Sequence, residues 1–140
     1  MRTLLFVAAI LFASSFAQAQ TINPGLWKAK TVIKLNTLAL PAIDVDDCIS
    51  ANEAKDIRKY IQENLIPETQ CVIKTWDYKK PDLKVTLTCS NSQYDSKGEL
   101  KGKVTEKTFN IAGTLSGTHV MMGDVDVGVD YQGKYTKACK

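Results

Sequence analysis

The sequence predicts a mainly β domain with one helix: an antiparallel up-and-down meander stapled by two disulfides. Three observations predict it. Apolar residues recur at every second position through most of the chain after residue 25, the period of a strand with one buried face. A single segment, after Ser50, changes to three- and four-residue spacing. Four cysteines follow an N-terminal export signal, and an even count in an exported domain reads as disulfides. One-sided strands joined by short turns favour a meander. Periodicity leaves open whether the meander closes into a barrel.

The export signal is read from residues 1–19. Met1-Arg2-Thr3 is a short basic start, Leu4 to Phe12 is an unbroken apolar run, and Ala17-Gln18-Ala19 has the small–large–small form of a cleavage site. The run is short of the roughly 20 residues a membrane helix needs. Cleavage after Ala19 leaves residues 20–140 as a single β-rich domain with a net charge of about +2. These values exclude a two-domain enzyme, a polytopic membrane protein and a strongly basic nucleic-acid binder. The periplasm is the expected destination, with no stable membrane insertion.

In chain order, Trp27, Ala29, Thr31, Ile33 and Leu35 alternate with Lys28, Lys30 and Lys34, and Val32 breaks the outer set. Leu38 to Val45 is a looser apolar stretch that Pro41 demotes to an edge strand or extended loop. Asp44, Asp46 and Asp47 read as a solvated turn before the helix. Ser50 and Glu53 form a capping box, and Ala54, Ile57, Ile61 and Leu65 make one apolar face opposite Lys55, Arg58, Lys59, Gln62 and Glu63. Pro67 marks the stop of a helix of about four turns. Residues 71–79 and 83–89 flank Lys80-Pro81-Asp82 as a hairpin. Asn91 to Gly98 is polar and reads as a loop. Leu100, Gly102 and Val104, then Phe109, Ile111, Gly113 and Leu115, then Val125, Val127, Val129, Tyr131 and Tyr135 continue the alternation.

Strand parity bears on the cysteines. If Trp76 and Tyr78 face inward, an unbroken strand turns Cys71 outward, whereas Cys89 faces inward with Leu83, Val85 and Leu87. A bridge between opposite faces is geometrically resisted. Cys139 shares the parity of Val125 to Tyr131. The expected pairs are therefore Cys48–Cys71 and Cys89–Cys139. This register points Lys74 inward, and one β-bulge would invert it.

No motif assigns a catalytic, cofactor-binding or metal-ligating residue. His119 is the single histidine, so a Ser-His-Asp set has no motif behind it. Beside Met121 and Met122 it has copper-binding chemistry, but a strand end explains it better. Asp124 to Asp130 looks like a calcium loop, yet three valines alternate with the aspartates as in a half-buried strand. Lys28, Lys30 and Lys34 offer a stripe to anionic lipid or polysaccharide, or protect an exposed strand from pairing. Trp27, Trp76, Tyr78 and Tyr131 are candidate binding residues for a ligand pocket, and such aromatics more often form core. An enzyme would have to use carboxylates alone, such as Asp44 or Asp126.

The order of short motifs adds a resemblance. Pro24-Gly25-Leu26-Trp27 follows the signal, Cys48-Ile49-Ser50 opens the helix, Cys71 starts a strand pair ending in Thr88-Cys89, and Tyr131-x-Gly133 runs to Cys139. From Pro24 to Cys139 the chain resembles the bacterial exported P-G-L-W-E family called domain of unknown function thirty-six-seventeen. Lys28 stands where that family usually has Glu. The resemblance implies periplasmic location and disulfides, and no activity. The expected function is a non-enzymatic domain binding an envelope protein or small ligand, without cofactor or nucleic acid. The alternatives are an inhibitor of an envelope hydrolase such as lysozyme, and a carboxylate-dependent enzyme.

Overall fold

The computed structural model describes residues 22–66 and 70–140. The expected export signal, residues 1–19, and the expected helix stop at Pro67 lie outside the described residues. The elements are β1 (Gly25–Leu35), β2 (Leu38–Ala39), β3 (Ile43–Ile49), α1 (Ala51–Ala54), α2 (Ile57–Leu65), β4 (Cys71–Lys79), β5 (Asp82–Ser90), β6 (Tyr94–Val104), β7 (Thr108–His119) and β8 (Gly123–Lys137). They form one open, antiparallel, eight-stranded sheet in the order β2-β1-β8-β7-β6-β5-β4, with β3 beside β2 on β1. The predicted meander is thus present from β4 to β8. The first strand then adds to the last, so β1 and β3 build the edge opposite β4.

The helices join β3 at one edge to β4 at the other. Their apolar residues Ala54, Ile57, Tyr60 and Ile61 are all buried. Beneath them lies an aromatic stack. The Phe109 ring is 4.8 Å from Trp27 and 5.2 Å from Tyr131, and Tyr60 from α2 approaches it to 6.2 Å. Gly133 stands directly opposite Phe109 in the ladder. A Cβ at Gly133 would strike the Phe109 ring, so the missing side chain leaves the ring its place. Trp27 is fully buried, and its indole Nε1 donates to the Asn23 carbonyl at 2.8 Å.

Several expectations are corrected. The helical segment is two helices. The Ser50–Glu53 capping box is present, but Asp56 caps a second start, its carboxylate accepting from the Lys59 amide at 3.0 Å. The polar stretch after Asn91 shortens to residues 91–93, because β6 begins at Tyr94. Asp44, Asp46 and Asp47 lie in strand β3, not in a turn.

The disulfides are Cys48–Cys139 and Cys71–Cys89, not Cys48–Cys71 with Cys89–Cys139. A bulge at Lys74 is the cause. Ile73 pairs with Leu87 and Thr75 with Thr86, so Lys74 is the extra residue and the parity reverses across it. Cys71 then shares the inner face of Cys89 and stands directly opposite it. At the other edge, Leu26 pairs with Cys48 on one side and Lys137 on the other. The tail beyond Lys137 crosses the start of β1 at Gly25, where a Cβ would meet the Lys137 carbonyl at 2.5 Å, and so reaches Cys48. Chain-entropy reasoning gives the long 48–139 link about 4.5 kcal/mol and the short 71–89 link about 3 kcal/mol.

Ile61 is 1 % exposed under the crossing helix. Ile61→Ala should cost about 2 to 5 kcal/mol in chemical denaturation. Lys59 is exposed and 3.7 Å from Glu63, so Lys59→Ala should change stability by less than about 0.5 kcal/mol. An unchanged midpoint for Ile61→Ala would mean that α2 is not part of the core.

Candidate interaction surface

The helical crossing covers the inner face unevenly. It lies over the Trp27 end, where β1 starts and β3 finishes. At the opposite end of the same face, β2 and β3 are left with Leu38 64 %, Ile43 57 % and Val45 50 % exposed, and Leu40 between them also exposed. The physical reason is in the strand pattern. Ile43-Asp44-Val45-Asp46 alternates, so Ile43 and Val45 point to the inner side, opposite Thr31 and Ala29. Asp44 and Asp46 point to the outer side, opposite Lys30 and Lys28. An apolar row and an acidic row therefore run along the two faces of one edge strand.

This pairing also accounts for the lysine stripe. Lys28 and Lys30 face aspartates across β3, an arrangement that stabilises a sheet. On the β8 side Lys28 stands opposite Lys134. With Lys30, Asn110 and Gln132 these lysines rim an open depression of about 390 Å3 on the outer face.

The four candidate aromatics separate. Trp27 and Tyr131 belong to the core stack, both buried. Trp76 and Tyr78 lie half-buried on β4 at the far edge. Arg58 lies over the Trp76 ring at 5.8 Å, and the Tyr78 hydroxyl donates to the Val104 carbonyl at 3.0 Å. The structure brings no common pocket to these four. Tyr60, which the helical spacing did not single out, is the residue that ties helix to sheet edge. Its hydroxyl donates to Asp47 Oδ2 of β3 at 2.8 Å. The signal was available, since Tyr60 lies one position from Ile61 and three from Ile57 on the same helical face.

His119 ends β7, and its Nδ1 accepts from the Met121 amide at 3.1 Å. Val120, Met121 and Met122 form the β7–β8 turn, with Met121 87 % exposed. Asp124 to Asp130 belongs to strand β8, as its alternation predicts. Its carboxylates serve neighbours: Asp126 accepts from the Ser116 hydroxyl and Asp130 from the Gln132 amide. Among the described residues no three His, Cys, Asp or Glu side chains are grouped to hold a metal ion.

Burial, then the neighbouring Tyr131 and the hydrogen bond to Asp47, push the Tyr60 hydroxyl well above the usual phenol range. The unfolded chain therefore ionises this group first as pH rises. Its contribution to stability is complete below about pH 10 and is lost progressively above that. Burial raises Tyr131 in the same direction. Tyr60→Phe should lower stability at neutral pH by about 1 to 3 kcal/mol, because a hydrogen bond to a carboxylate is lost. It should also make the alkaline decline shallower. Denaturant midpoints between about pH 8 and 11 measure both effects, and an alkaline slope identical to the wild type would contradict the assignment.

Comparison with known proteins places this chain in a family. No curated protein and no solved structure matches the chain. A family model described as protein of unknown function (DUF3617) matches residues 22–139, which takes in every strand and helix among the described residues and all four cysteines. The chain belongs to that family.

Proposed function

We propose that this chain is an exported, non-enzymatic binding domain of the bacterial cell envelope, which holds its partner against the apolar row of β2 and β3. The observation that carries this reading is the exposure of Leu38, Leu40, Ile43 and Val45 together on one edge of the sheet. Scattered exposed apolar residues need no explanation, whereas contiguous ones mark interaction surfaces. Export is supported by the Ala17-Gln18-Ala19 segment and by the pairing of all four cysteines, which suits an oxidising compartment. No described helix is long and apolar enough to cross a membrane. The non-enzymatic reading is supported by the placement of the acids. Asp44 on β3 and Asp126 on β8 are both exposed and lie on opposite sides of β1. That is unlike the buried carboxylate pairs with separated pKa values that catalysis uses.

A second reading, inhibition of an envelope hydrolase such as lysozyme, is favoured by one feature. The Val120-Met121-Met122 turn projects apolar side chains at the end of the β7–β8 hairpin, with Val120 70 % and Met122 56 % exposed. A tip of this kind can enter a cleft.

In-cell photocrosslinking separates the two readings. A photoreactive residue at Ile43 should give a discrete adduct with one envelope protein, and Val45→Asp should remove it. A probe at Lys84, on the polar outer face, should give none. Adducts formed from Met121 alone, with lysozyme-type activity inhibited by the purified protein, would replace the first reading with the second. Absence of specific adducts at both positions would contradict both.

A further inference from the structure

We propose that β3 is a strand-addition site, which takes an extended partner segment with basic and apolar residues in alternation. The inference rests on the binding function proposed above and specifies its mode. Among the described residues β3 pairs with β1 alone. Its register with β1 runs from Thr31↔Ile43 to Gly25↔Ile49 without a shift. The second edge of β3 therefore presents a regular series of backbone donors and acceptors, beside an exposed apolar row. That is the template on which an extended peptide adds, with main-chain bonds giving affinity and alternate side chains giving specificity.

The other sheet edge lacks these properties. β4 carries the Lys74 bulge, and a bulge twists an edge away from further pairing. It is also lined by the half-buried Trp76 and Tyr78, which pack against the core.

Charge selects the occupant. An added strand meets Ile43 and Val45 on one face and Asp44 and Asp46 on the other. Among the described residues the ion pairs use Glu63, Glu106 and Glu99 as their acids, so neither Asp44 nor Asp46 is held by one. A segment with lysine or arginine opposite the aspartates and apolar residues between them satisfies both rows. β1 already answers β3 in this way, with Lys28 and Lys30 against Asp46 and Asp44. A second copy of this chain does not fit. Pairing β3 with β3 in face-matched register puts Asp44 and Asp46 of both strands on one surface, and like charges across strands destabilise. The partner is therefore a different envelope protein with an exposed basic–apolar strand or tail.

The test uses the oxidised, full mature protein and a synthetic heptapeptide alternating lysine and valine. Control peptides have the same residues in two blocks, glutamate in place of lysine, or methylated backbone nitrogens. NMR titration should show shifts confined to β2 and β3 for the alternating basic peptide. Its affinity should exceed that of the blocked and acidic peptides by about tenfold, the sum expected from two or three cross-strand pairs. D44N/D46N should remove that advantage, and backbone methylation should abolish binding. Equal affinity for the blocked or methylated peptide, or shifts elsewhere, would overturn strand addition. If Ile43 still crosslinks to one envelope protein in that case, the binding function stands and this mode of binding falls. Loss of both results sinks both.

Discussion

An eight-stranded sheet here has its inner face covered by one short helical crossing, and the rest of the structure follows from that constraint. Sixteen residues at most separate Ile49 at one edge from the end of α2. They bury Ile57, Tyr60 and Ile61 over Phe109 and Trp27, and this patch supplies the centre of the core. Each end of the crossing is held by a disulfide, but to different partners. Cys48 lies one residue before the end of β3 and is bonded to the C-terminal tail, and Cys71 begins β4 and is bonded to β5. The crossing is thus fixed to the sheet at both edges rather than closed on itself. Tyr60 adds a third attachment through Asp47.

Limited cover has a consequence at the other end of the sheet. With the helices over the Trp27 end, Leu38 of β2 and Ile43 and Val45 of β3 face water. A solvated edge with apolar side chains is a liability that natural proteins blunt with charge, proline or bulges. Here β4 has its bulge, and β3 has Asp44 and Asp46 on the outer face while Ile43 and Val45 stay exposed on the inner one. The aspartates discourage self-association and leave the edge open to a basic segment. The residues that the helix does not reach are those to which the proposed function assigns a partner.

The strands were legible in the sequence because each has one buried face, and period two survives wherever that holds. Trp27 to Leu35 and Val125 to Tyr131 show it plainly. The disulfides were not legible, because a single extra residue, Lys74, reverses parity within β4. The trace it left was a lysine pointing inward in an otherwise apolar row. The start of β6 was obscured by Ser96 and Gly98, polar or small residues on the inner face that stand opposite Gly117 and Leu115. In the helical segment, Asp56 was a second capping residue inside a continuous apolar spacing, and the spacing hid it. The exposed edge was half legible. Ile43-Asp44-Val45-Asp46 alternates as a strand should, but Pro41 and the cluster of acids gave it the composition of a turn. That Ile43 and Val45 remain uncovered depends on where the helices lie, which no local pattern records.

Amide hydrogen exchange along β3 tests the central claim most directly. An open edge leaves every second amide of Ile43 to Asp47 without a partner, so those amides should exchange close to the rate of an unstructured peptide. Their neighbours, bonded to β1, and the amides of β7 and β8 should exchange only through local or global opening. This alternation within one strand is the predicted result. Uniform strong protection from Ile43 to Asp47 in the monomeric protein would show that the edge is already covered, and would contradict the account.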